Sequence, residues 1–261
     1  PKRDRDADGG AEAMTSGSIG EISPPQAAPK PNSFERIVGV LIAPNETFSS
    51  IARTPDWVVP LVLILVVSLI SGIVIAQRVD FAAAIREQIE QKGNVPPGQI
   101  DSSVRMMSAV SKVAAYCAPI FATIFLLIIA AALLVAFRLF GGENNFKQSF
   151  SVAVYAWMPG LVKSIISLPI ILSRDTVPAQ DLAILVRSNL GFLVDMKTNP
   201  MAFAVLTSLD VFTIWILILY IIGFSYASRL SKAKSAAIVV TLWAVTVIFK
   251  LVPAAIKSLR G

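Results

Sequence analysis

Five long apolar runs, near Trp57–Ala76, Val113–Phe137, Phe150–Leu172, Phe203–Ala227 and Ala236–Ile256, restrict this chain to very few folds. Each can cross a hydrocarbon core of about 30 Å as a helix, which takes about 20 residues at about 1.5 Å per residue. In lipid every backbone N–H and C=O must find a partner within the protein, so runs of this kind become helices. The composition agrees: 55% of residues are hydrophobic and only 15% charged, with a mean hydropathy of +0.69. A soluble domain carries about 25% charged residues. The pattern predicts an all-α, polytopic integral membrane protein built on a bundle of five transmembrane helices.

Several function classes fall away on composition. There is no histidine, which removes Ser-His-Asp and Cys-His catalysis, HExxH zinc sites and any histidine pH sensor. No GxxxxGK[ST] phosphate loop occurs, and no catalytic residue, metal site or cofactor is expected. The single cysteine, Cys117, lies within the second run and has no partner for an internal disulfide. The formal net charge of +6 is read as loop anchoring against anionic lipid, since no exposed aromatic platform accompanies the basic residues. Lipid is therefore the expected partner, with other membrane proteins or self-association beside it, and nucleic acid is not.

Residues 1–33 are rich in Pro, Gly, Ala and Ser and lack the apolar core of a signal peptide. They are expected to form a disordered tail. Ser33 is a plausible N-cap, and Phe34, Ile37, Val38 and Leu41 follow on one helical face. A second short helix starts at Pro44, with Phe48 and Ile51 on one side. Residues 34–56 thus read as two interfacial amphipathic helices, with Arg36, Glu46 and Arg53 on the wet side. Trp57 takes the place of an aromatic-belt residue. The five-helix membrane domain then occupies residues 57–256, followed by a short tail over 257–261. Ser68, Gly72 and Ala76 put small residues four apart in the first span, a spacing that permits close helix approach.

Between the first two spans, Phe81, Ile85 and Ile89 form one apolar stripe and Ile100, Val104, Met107 and Val110 another. A turn signal from Gly93 to Gly98 separates them, which predicts a helical hairpin outside the bilayer. The connection from Ser173 to Ala202 contains Pro178 and then an amphipathic stretch through Leu182, Leu185, Val186, Leu190 and Leu193. No repeat relates the halves of the chain, which argues against an inverted-repeat transporter.

Whole-loop counts of Lys and Arg do not separate the two faces, but density does. Arg229, Lys232 and Lys234 crowd into six residues without an acid, on the side that holds the N-terminus. The opposite loops dilute their cations with Asp80, Glu87, Glu90, Asp175, Asp181 and Asp195. The positive-inside rule then puts the N-terminus in the cytoplasm and the C-terminus outside, although Lys250, Lys257 and Arg260 pull the other way.

Three charges interrupt the spans: Lys163 in the third, Asp210 in the fourth and Lys250 in the fifth. Counting from the shared face gives depths of about 13, 10 and 5–10 Å at about 1.5 Å per residue. Lys163 and Asp210 are level enough to pair, with Lys250 nearby or snorkelling outward. An unpaired charge at mid-depth costs about 2.5–3.5 kcal/mol on insertion scales, which favours pairing toward the bundle interior. Two roles stand open for the Lys163–Asp210–Lys250 cluster: a site for an ion, a proton or a lipid headgroup, or a structural pair that fixes helix register. Pro119, Pro159, Pro169 and Pro253 each remove a helix hydrogen bond. Pro159-Gly160 is the expected hinge of the third span.

Several blocks resemble one family. Phe34-Glu-Arg-Ile-Val-Gly-Val-Leu-Ile-Ala-Pro44, Glu46-Thr47-Phe48 and Pro55-x-Trp57-x-x-Pro60-Leu61 are similar to the entry of bacterial Yip1-domain proteins. Phe140-Gly-Gly-Glu-Asn-Asn-Phe146, running on to Tyr155-Ala-Trp-Met-Pro159, resembles their second loop and third span. Ser208-Leu-Asp210-Val-Phe-Thr-Ile-Trp215, Gly223 and Ser231-Lys-Ala-Lys234 resemble their fourth span and its exit. The resemblance covers about residues 34–256. It implies a five-helix integral membrane fold with a cytosolic N-terminus, in the inner membrane of a bacterial cell. Eukaryotic relatives act in vesicle traffic with Rab-type GTPases, but their Asp-Leu-Tyr-Gly-Pro element is absent here, so that role does not carry over. The bacterial members supply no agreed biochemical activity and no catalytic residues. The expectation is a non-enzymatic protein of membrane organisation or partner binding, with a small transporter or channel at Lys163–Asp210 as the alternative.

Overall fold

The computed structural model describes residues 32–92, 96–196 and 198–258. Most of the tail expected over 1–33, part of the turn expected between Gly93 and Gly98, and the last residues of the C-terminal tail lie outside them.

Helix α1 (Ser33–Ile42) starts on Ser33 itself, and its cap is Asn32, one residue before the expected one. The Asn32 side chain accepts from the Glu35 amide at 2.8 Å, and Glu35 accepts in return from the Asn32 amide at 3.0 Å. Such a reciprocal box satisfies two amides that a helix start leaves free. Helix α2 (Pro44–Arg53) folds back on α1, with Pro44 in the first turn, where its missing N–H costs nothing.

The two faces of α1 depart from the expected pattern. Arg36, Ile37 and Val40 point inward, while Phe34, Val38 and Ile42 form an exposed stripe four residues apart. Arg36 is therefore not on a wet face. Phe48 and Ile51 of α2 are fully buried among the bundle helices. Gly223 makes room for Phe48, since a Cβ there would sit 2.9 Å from the Phe48 ring and 2.5 Å from Val152.

Five helices among the described residues are long and apolar enough to cross a bilayer: 58–78, 118–139, 146–172, 211–228 and 232–252. The first is α3 (Val58–Arg78). A hairpin of α4 (Phe81–Lys92) and α5 (Ile100–Tyr116) follows, closed by Ile85, Ile89 and Val104. Then comes α6 (Ala118–Leu139). The second span begins later than Val113 because the helix breaks at Cys117, two residues before Pro119, which has no N–H to offer. Gly72 packs at this break: a Cβ on it would lie 2.0 Å from the Ala115 carbonyl oxygen. Of the small-residue stripe, this is the position where close approach is obligatory.

The third span is two helices, α7 (Phe146–Ala156) and α8 (Met158–Leu172), divided at Trp157. Helix α7 starts four residues before Phe150, on an Asn145–Gln148 capping box. It buries eight successive residues, Ser149 to Ala156, so it is surrounded on all sides and forms the centre of the bundle.

The fourth apolar run is likewise divided. Helix α9 (Pro200–Ser208) ends at Leu209, and α10 (Val211–Ser228) restarts after Asp210. The last helix, α11 (Lys232–Ser258), begins four residues before Ala236 because Ser231 caps it. The connection from Ser173 is not a regular amphipathic helix. It forms a two-residue strand, β2 (Val177–Pro178), and two single 3₁₀ turns. Strand β2 pairs in parallel with β1 (Val79–Asp80), tying the loops after the first and third spans together.

The outward surface is apolar. Val59, Val62, Val66, Leu69 and Ile73 form an exposed stripe along α3, and Phe121, Ile124, Phe125 and Ile128 another along α6. Soluble monomers rarely expose continuous patches of this kind, whereas lipid requires them. The chain is an integral membrane protein, and its spans contact lipid.

Candidate functional site

Asp210 is the N-cap of α10, with extended backbone (φ −105°, ψ 136°). An aspartate there accepts from the first free amides of the helix and complements its dipole. Its Oδ1 accepts from the Phe212 amide at 2.9 Å and the Thr213 amide at 3.3 Å. Lys163 Nζ of α8 donates to Oδ2 at 2.7 Å. The same oxygen accepts from Ser188 Oγ at 2.5 Å and Asn189 Nδ2 at 3.3 Å. Five donors thus converge on one carboxylate that is 2% exposed, while Lys163 is 31% exposed beside the Phe212 ring.

The loop is held by its backbone as well. The Val211 amide donates to the Ser188 carbonyl at 2.9 Å, and Asn189 and Asp210 form an antiparallel bridge. Asn189 also donates to the Ala183 carbonyl and accepts from the Gly191 amide, each at 2.9 Å. Asp210 therefore joins three separate segments: α8, the start of α10 and the 183–191 loop.

Lys250 is not in this cluster. It is exposed on α11 and makes no ion pair among the described residues. Pro159 and Gly160 lie in the first turn of α8, just after the break at Trp157. Pro159 cannot donate to the Tyr155 carbonyl, which accounts for the interruption. A Cβ on Gly160 would meet the Trp157 ring at 3.1 Å. Trp157 itself packs edge-on against Phe125, with ring centroids 5.1 Å apart.

A second polar node lies where α1 and α2 meet α7. Arg36 Nη1 donates to Asp56 Oδ1 and to the Thr54 carbonyl, both at 2.8 Å. Its Nη2 donates to Thr54 Oγ1 at 2.6 Å and Ser50 Oγ at 3.1 Å. Tyr155 donates to Asp56 Oδ1 at 3.1 Å and Ser33 to Oδ2 at 2.7 Å. This node clamps the α1–α2 hairpin to the most buried helix of the bundle.

Sequence reasoning missed Ser188, Asn189 and the whole Arg36 node. The capping chemistry of an aspartate within the fourth run is the signal that could have shown the break at Asp210; nothing local marked Ser188 or Asn189.

Five apolar spans, three helix breaks and buried polar nodes define a polytopic α-helical membrane protein. The Yip1 domain family model matches residues 38–252, most of the chain, and the protein belongs to that family. No curated protein and no solved structure matches it.

Proposed function

We propose that this protein is a non-enzymatic membrane scaffold, organising the bilayer or holding other membrane proteins or further copies of itself. In this reading it sits in the inner membrane of a bacterial cell, with its N-terminus cytoplasmic and its C-terminus outside. The saturated Asp210 carboxylate carries the proposal. With five donors already on it, the acid has little capacity left for a passing ion or proton, and it does what a structural latch does.

Transport is the second reading, and it draws on one observation. Asp210 stands at the N-terminus of a half-helix where the fourth run is broken, the kind of place where secondary transporters put their ligands.

Crosslinking in native membranes, followed by identification of the partners, tests the scaffold. Specific crosslinks to a second copy or to another membrane protein are expected, and their absence contradicts it. Liposome flux separates the two readings: a proton or ion flux present in wild type and lost in Asp210→Asn would establish transport instead.

A further inference from the structure

We propose that an anionic phospholipid occupies the groove beside Phe146, with its phosphate held between Arg138 and Lys147. The groove lies where α6 ends and α7 begins. Phe146 stands between two depressions. One, of about 520 Å³, lies against Leu134, Val135 and Arg138. The other, of about 390 Å³, runs between α3 and α6 past Leu61 and Leu127 to Lys147.

The walls identify the occupant. They are apolar side chains on the outward surface of spans, so within a bilayer an acyl chain fills them and water does not. From Arg138 to Leu127 along α6 is about 16 Å, roughly the depth of one leaflet of a 30 Å core.

The charges at the mouth select the headgroup. Arg138 Nε donates to the Asn144 carbonyl at 2.6 Å, which orients the guanidinium. Its Nη groups have no partner among the described residues. Lys147 is exposed and makes no ion pair among the described residues. The one acid in the turn, Glu143, is engaged by Arg229 at 2.8 Å and does not compete. An oriented guanidinium fork on one side of Phe146 and an ammonium on the other favour a lipid of net negative charge. A phosphatidylcholine presents the same phosphodiester, but its own quaternary ammonium offsets that attraction. This site is independent of the Asp210 node and of whichever role that node serves.

The test uses the full chain, purified in detergent and read by native mass spectrometry with dioleoyl phosphatidylglycerol or dioleoyl phosphatidylcholine. Wild type should retain the anionic lipid about tenfold more strongly. Lys147→Gln, which removes no hydrogen bond or ion pair among the described residues, should lower that preference several-fold. Lys147→Gln combined with Arg138→Gln should abolish it. Leu127→Trp, which fills the groove, should weaken retention while both cations remain. Equal retention of the two lipids by wild type would overturn the proposal. So would an anionic preference that Lys147→Gln leaves unchanged, or inorganic phosphate displacing the lipid as readily as a competing phospholipid does.

Discussion

The two polar nodes use the same parts in opposite arrangements. At the α1–α2 end the cation is the buried partner: Arg36 is 5% exposed and Asp56 34%. At the other end the acid is buried and the cation is wet, with Asp210 at 2% and Lys163 at 31%. Each node fastens a segment outside the spans to the bundle. What differs is the support left when one partner is removed. Arg36 keeps three neutral acceptors besides Asp56 and a buried Nε without a partner, whereas Asp210 keeps four neutral donors besides Lys163, two of them amides of the α10 N-terminus. A buried charge that keeps dipolar partners tolerates loss of its counter-ion better than one that keeps few.

That contrast orders the expected effects of substitution. Asp56→Ala should be the most damaging, stranding a buried guanidinium at a cost of about 3–5 kcal/mol, measured as reversible unfolding in detergent. A loss below that of any Asp210 variant would break the comparison. Asp210→Ala should follow at about 2–3 kcal/mol, since it removes a cap and takes the shared acceptor from Lys163, Ser188 and Asn189. Asp210→Asn should cost less, because its amide oxygen still caps α10. Lys163→Met should cost about 1–2 kcal/mol, the remaining donors holding the carboxylate. If it equals Asp56→Ala, the amides and hydroxyl contribute little.

The exposed pair Arg86–Asp101 of the α4–α5 hairpin supplies a wet reference for both nodes. Its hydrogen bond and the Arg86 charge hold the Asp101 carboxyl below the usual carboxylate range. A depressed acid stabilises the fold fully above the ordinary aspartate range of about 4. That contribution is lost as pH falls through the folded value. Protection of hairpin amides should therefore fall only in acid, and salt should weaken it at neutral pH. Insensitivity to both would show that the apolar contacts of Ile85, Ile89 and Val104 hold the hairpin alone.

The spans were legible because lipid demands length and hydropathy, and both are local properties. Depth counting put Lys163 and Asp210 on one level, and their charged atoms lie 2.7 Å apart. The break at Asp210 was less visible, because the apolar run reads through it and only the capping chemistry interrupts it. Ser188 and Asn189 sit in a loop whose path is set by long-range contacts such as the β1–β2 pair. Arg36 was read as wet because arginine on an amphipathic helix usually is. The positions four apart that share its face, Arg36 and Val40, point instead into the bundle.

The most direct measurement is hydrogen–deuterium exchange of the full chain in nanodiscs, wild type against Asp210→Ala. If Asp210 is a latch, the Gly191 and Val211 amides should exchange faster in the variant, while α1 and α2 keep their protection. Unchanged exchange across residues 183–191 would contradict the account, because the loop would then be held by something other than the carboxylate.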